Sequence, residues 1–280
     1  MRHFIAGVAI SLLASGAAFA DENCYKTCPV GAAQKNSVVT RPSYYTLSNN
    51  PTTKFADWVA YRVTKSTIGK TQTRTWKQAP ELSASDTLHP DDYTGAPGAL
   101  TIDRGHQAPL ASFTANPSKG AWKVMNFLSN ITPQGTELNQ GPWERLESAE
   151  RTLAKAAGIA AVYVVTGPLY EKDMKSLPNA TRQHVVPSGY WKVVAVDENG
   201  ILKSAAFIMH QDAKRNDDYC NNLVTISDVE ERSGLELFPN LSRAKRKALA
   251  ESAGELVDGV GCEFIETAAS KRVKTKIRKP

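Results

Sequence analysis

Tyr190-Trp191-Lys192-Val193-Val194-Ala195-Val196-Asp197, then Glu198-Asn199-Gly200, then the run from Leu202 to His210, is the stretch that decides the fold. Two β-branched and apolar segments joined through Asn-Gly predict a hairpin, because the tight turn that matches strand twist needs positive φ at both central residues. Working outward, Ala161 to Thr166 and Trp58 to Thr64 have the same character and predict two further strands. Leu146, Ala149, Leu153 and Ala157 recur at helical spacing and predict a helix from about Pro142 to Ala157, with the proline tolerated in its first turn. A second helix is predicted from Leu241 to Leu256, opening on Ser242 as N-cap. The segment Asn23 to Thr53, rich in Pro, Asn, Ser and Thr, reads as loop with room for one short strand. Strands interspersed with helices, without repeats or a Gly/Pro-rich linker, make a single α+β domain.

The chain has 280 residues, 41% of them hydrophobic and 22% charged, which excludes a disordered or fibrous protein. Its formal net charge is +6. Lys271, Arg272, Lys274, Lys276, Arg278 and Lys279 equal that whole surplus, so residues 271–280 read as a basic, disordered tail and the rest is neutral. Residues 1–20 open with Arg2, continue through the apolar stretch Phe4 to Leu13 and end on Ala18-Phe19-Ala20, the pattern of a cleaved secretory signal. That apolar stretch is too short for a spanning helix. Export, to the periplasm or the medium, leaves residues 21–270 as the folded domain and no membrane association. Cys24, Cys28, Cys220 and Cys262 then favour two disulfides, in any of three pairings. Local staples, Cys24 with Cys28 and Cys220 with Cys262, are the preferred set. A zinc site is the weaker alternative, because no histidine lies near the Cys24–Cys28 pair.

Two clusters carry the chemistry. In Ile102-Asp103-Arg104-Gly105-His106-Gln107, a glycine permits a tight backbone turn beside an imidazole that can accept a proton near neutral pH. Alone, the cluster also describes an ordinary structural histidine. In Leu138-Asn139-Gln140-Gly141-Pro142-Trp143-Glu144-Arg145-Leu146-Glu147, the residues Asn139, Trp143, Glu147 and Arg151 are four apart and form one drifting helical stripe. Asn139 is expected at the helix start, where free N–H groups favour an anion. Its side-chain carbonyl is a hard donor suited to Mg2+, and Glu147 could hold a water of such an ion. The plain alternative is a helix cap followed by a surface Glu147–Arg151 pair.

Taken together these segments resemble the DNA/RNA non-specific endonuclease family, in its secreted, Serratia-type branch. The resemblance runs from Lys54-Phe55-Ala56-Asp57-Trp58 through Asp103-Arg104-Gly105-His106, Asn126, Asn130-Ile131-Thr132-Pro133-Gln134 and Leu138 to Glu147. It continues to Thr166-Gly167-Pro168-Leu169-Tyr170 and Tyr190-Trp191-Lys192. It implies a largely antiparallel central sheet flanked by helices, with the active site on a ββα-metal motif. It implies His106 as general base, Asn139 as the direct ligand of a hydrated Mg2+, with Mn2+ as an alternative, and Glu147 at the metal's water shell. Arg74, in Thr73-Arg74-Thr75-Trp76, falls to phosphate contact and transition-state charge. Arg151, Asn126 and Asn130 fall to substrate binding, and Asp103 and Arg104 to structure, with Arg104 steering an acidic side chain. The same cysteine pairing, DNA and RNA as substrates, 5′-phosphate products and a homodimer are further implications. A catalytically silent nucleic-acid-binding protein and a phosphodiesterase for small substrates are the competing classes.

Overall fold

The computed structural model describes residues 21–70, 72–116, 120–251 and 254–263, so the signal segment 1–20 and the basic tail 271–280 lie outside the described residues. The strands are β1 (Ser37–Arg41), β2 (Tyr45–Asn49), β3 (Ala56–Val63), β4 (Ile102–His106), β5 (Ile131–Gly135), β6 (Val162–Leu169), β7 (Gly189–Glu198), β8 (Ile201–His210) and β9 (Leu223–Val224). Seven of them form one antiparallel sheet in the order β1-β2-β3-β6-β7-β8-β9, while β4 and β5 pair apart from it. The helices are α1 (Ala96–Leu100), α2 (Thr136–Leu138), α3 (Glu144–Leu153), α4 (Ile226–Ser233) and α5 (Arg243–Glu251).

The hairpin at the centre forms as its sequence dictates. Glu198 pairs with Ile201, and Asn199 and Gly200 turn at φ 55° and 83°. Side chains of β7 alternate between two cores. Tyr190, Val194 and Val196 enter the one that includes Leu146 and Trp143, while Trp191, Val193 and Ala195 enter the one that includes Ile226 and Ala250. Helices therefore cover both sheet faces, and each large apolar side chain so buried contributes about 1.5–3 kcal/mol. A third apolar cluster, with Phe55, Tyr93, Ile102 and Ile131, packs around β4 and β5.

Three sequence expectations shift. The segment read as loop with one short strand holds two, β1 and β2, paired as Val39 with Leu47. The buried polar residues of β2 are hydrogen-bonded: Thr46 Oγ1 accepts from Asn23 at 3.1 Å, Ser48 Oγ from Asn36 at 2.9 Å, and Asn49 donates to the Asp86 carbonyl at 3.0 Å. Composition misreads such a strand because satisfied polar groups tolerate burial. The helix expected from Pro142 to Ala157 begins as expected, after a kink at Gly141 (φ −124°, ψ −117°) that sets off the short α2, but regular helix runs only over α3. The last helix is also shorter than predicted, because Leu256 leaves the helix to donate its N–H to the Ser204 carbonyl at 3.2 Å. Its start agrees, with Ser242 Oγ accepting from the Lys245 N–H at 3.4 Å. Helix α4, not predicted, opens on a reciprocal Thr225–Asp228 capping box.

Cys24 is bonded to Cys28 and Cys220 to Cys262, so no thiolate remains there for zinc. No helix of the described residues is long and apolar enough to cross a membrane.

Candidate active site

Strands β4 and β5 with the following helix make a ββα unit, in which His106 ends β4 opposite Ile131. Gly105 is not a turn residue. It is extended in β4, and a Cβ there would lie 2.3 Å from Gln134 Oε1, so close side-chain approach requires the glycine. Residues 107–130 leave β4 and return to β5, carrying Asn126 and Asn130 to the interior. Asn130 is fully buried and bonded only to backbone: its Nδ2 donates to the carbonyls of Ala108 and Met125, and its Oδ1 accepts from the Ala108 N–H. The expected substrate contact of Asn130 is therefore corrected to a clamp on the chain just after His106. Asn126, equally buried, places Oδ1 3.1 Å from His106 Nε2. An amide oxygen only accepts, so Nε2 carries the proton and Nδ1 keeps the free lone pair.

Asp103 organises the helix side. Its carboxylate accepts from Thr136 Oγ1 at 2.9 Å and from Asn139 Nδ2 and Gln140 Nε2 at 2.8 Å each. Because a carboxylate accepts only, the Asn139 amide must turn its NH2 to Asp103 and keep Oδ1 for the cleft. The expectation of free N–H groups at Asn139 is not met. The residue closes the short α2 ahead of the kink at Gly141, with its own N–H bonded to the Thr136 carbonyl. The kinked segment leading into α3 is pinned from outside by the loop after β8. Arg145 donates to the Arg215 carbonyl at 2.8 Å, Arg215 Nη1 donates to Gln140 Oε1 at 3.1 Å, and a Cβ on Gly141 would come within 2.7 Å of Arg215 backbone.

These residues line one open cleft of about 660 Å³, with Arg74, Arg104, His106, Asn139, Glu147 and Arg151 on its walls. Arg104 does not steer a carboxylate. Its Nη2 donates to the Pro90 carbonyl at 2.8 Å, and its guanidinium lies 5.6 and 5.2 Å from the ring centroids of Trp76 and Tyr93. The Trp76 ring is 5.4 Å from the His106 ring, so one indole contacts both. Arg151 pairs with Glu144 at 3.2 Å rather than with Glu147. Sequence reading gave no role to Trp76, Glu144, Gln140 or Arg215. Arg215 carries no local signal, because only the fold brings its loop to the kink at Gly141.

Burial sets the protonation of both titrating groups. Desolvation lowers His106 from 6.5 to about 4, aided by the Arg74 charge and opposed by the Asn126 bond, so the imidazole is neutral near pH 7. Desolvation raises the Glu147 carboxyl to about 7, with Lys192 pulling down and Glu150 pushing up. The donors offered to a cation, an amide oxygen and a carboxylate, are hard oxygens that fit Mg2+.

A family model described as DNA/RNA non-specific endonuclease matches residues 22–244. The chain is 46% identical over 243 residues to the protein named Nuclease of Serratia marcescens, covering 86% of this chain and 90% of that one. It is 29% identical over 223 residues to Endonuclease G, mitochondrial, of Homo sapiens, with 75% and 72% covered. A crystal structure of an EndoG/EndoGI complex superposes with a TM-score of 0.63 at 25% identity, over 74% of this chain and 88% of that chain.

Proposed function

This chain belongs to the DNA/RNA non-specific endonuclease family, and from that premise we propose that it is an exported, Mg2+-dependent endonuclease in which His106 activates the attacking water. The observation that carries the reading is a neutral imidazole and an unspent amide oxygen in one basic-walled cleft, each oriented by a hydrogen-bonded partner. His106 takes a proton from water at Nδ1 while Asn126 holds Nε2–H, which fixes the ring and its tautomer. Arg74 and Arg151 offer permanently charged, planar donors to the phosphate. Asn139 Oδ1 would bind the cation directly, and Glu147 would hold one of its waters. When bound, the cation neutralises charge on the phosphate and leaving oxygens. Phosphate-centred binding reads neither base edge nor 2′-hydroxyl, so DNA and RNA are both substrates, with 5′-phosphate ends.

Export follows from the signal-like residues 1–20 and accords with two disulfides in the folded part. Release into the medium or retention in the periplasm, Mn2+ in place of Mg2+, and pairing of two copies are all compatible with this chemistry. The test is digestion of supercoiled plasmid and of structured RNA. Both are expected to become short fragments with Mg2+ and stay intact with a chelator. Retarded but uncut DNA with metal present would instead identify a silent binding protein.

Acid sensitivity should depend on metal. His106 and Glu147 both act in their basic forms, so both losses lie on the acid side. Proton and cation compete for Glu147, so with scarce Mg2+ activity is expected to fall below about pH 7. Raising Mg2+ is expected to move that limb toward the His106 value of about 4. Profiles of kcat/KM against pH at two Mg2+ concentrations measure this, and a limb indifferent to Mg2+ contradicts it.

A further inference from the structure

Lys192 occupies a position where the alternation of β7 calls for an apolar side chain. Tyr190, Val194 and Val196 share its face, and Lys192 is fully buried among them. Its Nζ donates to Glu150 Oε1 at 2.9 Å and to Tyr61 OH at 3.2 Å, lies 4.3 Å from the Trp143 ring centroid, and stands 3.8 Å from Glu147 Oε1. Tyr61 OH in turn donates to Glu150 Oε2 at 2.9 Å. Glu150 is wholly buried, whereas Glu147, almost one turn earlier on α3, reaches the cleft with its side chain 13% exposed.

Stability alone does not call for this set. A buried ion pair is often no better than apolar residues of the same size, and a second carboxylate on the same helical turn adds repulsion. We propose that Lys192 is a positioning residue for Glu147, drawing its carboxylate onto the cleft floor by charge while Glu150 and Tyr61 fix the lysine in place. The proposal rests on the assignment of Glu147 to the water shell of the metal. Four charged groups act on Glu147, namely Lys192, Glu150, Arg151 and Glu144, and Lys192 is the strongest influence opposing the burial that raises its carboxyl. Arg151 pairs with Glu144 at 3.2 Å, whereas Lys192 lies 3.8 Å from Glu147 Oε1 and exerts the larger influence on it.

The test is calorimetric binding of Mn2+ alone, without nucleic acid, to the mature chain across pH. Lys192→Met with Glu150→Gln removes both buried charges together and keeps an acceptor for Tyr61. This double variant is expected to bind Mn2+ 10- to 100-fold more weakly at pH 7. The pH at which binding is half lost should rise, because Lys192 acts on Glu147 more strongly than Glu150 does. Glu150→Gln alone leaves Lys192 facing only Glu147 and should lower that pH. The opposite signs separate charge positioning from packing, and if the double variant does not fold, the sign for Glu150→Gln still decides. Unchanged binding in the double variant, or a Glu150→Gln midpoint that stays or rises, overturns the proposal. Glu147→Gln separates the two claims. If it binds Mn2+ like the parent, the assignment of Glu147 fails and the proposal with it. If it loses binding while the double variant keeps it, only the role of Lys192 fails.

Discussion

Replacing His106 by alanine is expected to lower kcat on plasmid DNA by roughly 10²- to 10⁴-fold, the range for loss of a general base, with KM nearly unchanged. The imidazole is neutral near pH 7 because burial and Arg74 disfavour its charged form. Asn126 spends Nε2, so the lone pair left for water is on Nδ1. The ring's own contacts are confined to the Asn126 amide and Trp76, while β4 is held by its pairing with β5, and the chain after it by Asn130. The variant should therefore fold normally, which circular dichroism would verify. A variant retaining more than a tenth of parental turnover would remove His106 from the mechanism.

Replacing Asn139 by alanine is expected to cost on the order of 10² to 10³ in kcat/KM, because a cation at a phosphate supplies several kcal/mol and each 1.36 kcal/mol is tenfold. Calorimetry should show Mg2+ binding lost at concentrations that saturate the parent. Asn139→Asp should not rescue it. The substitution keeps an oxygen donor but deletes the N–H given to Asp103, setting two carboxylates against each other where a 2.8 Å hydrogen bond stood. Full Mg2+ affinity in the alanine variant would contradict the role given to Asn139.

Much of this architecture was legible in the sequence because strand residues, turn chemistry and helical spacing agreed. Asn199-Gly200 located the central hairpin, and the two preferred cysteine pairs are those observed. Legibility failed where polar residues are buried with partners. Thr46, Ser48 and Asn49 looked like loop and form β2, and Asn130 looked like a ligand contact and is a backbone clamp. It failed again at long range. Neither Arg215 against Gly141 nor Lys192 beneath Glu147 follows from spacing. Lys192 did carry a signal, a lysine inside an otherwise apolar strand, which demands buried anionic partners.

Arg74, the strand end at 103–106, buried Asn126 and the helical stretch 139–151 meet only through tertiary packing. Joining them means closing loops between distant points of the chain, and the entropy of those closures is recovered only when the surrounding contacts form. No contiguous fragment holds a working centre, and neither does the nascent chain. An enzyme assembled this way is thus inactive for as long as it stays unfolded.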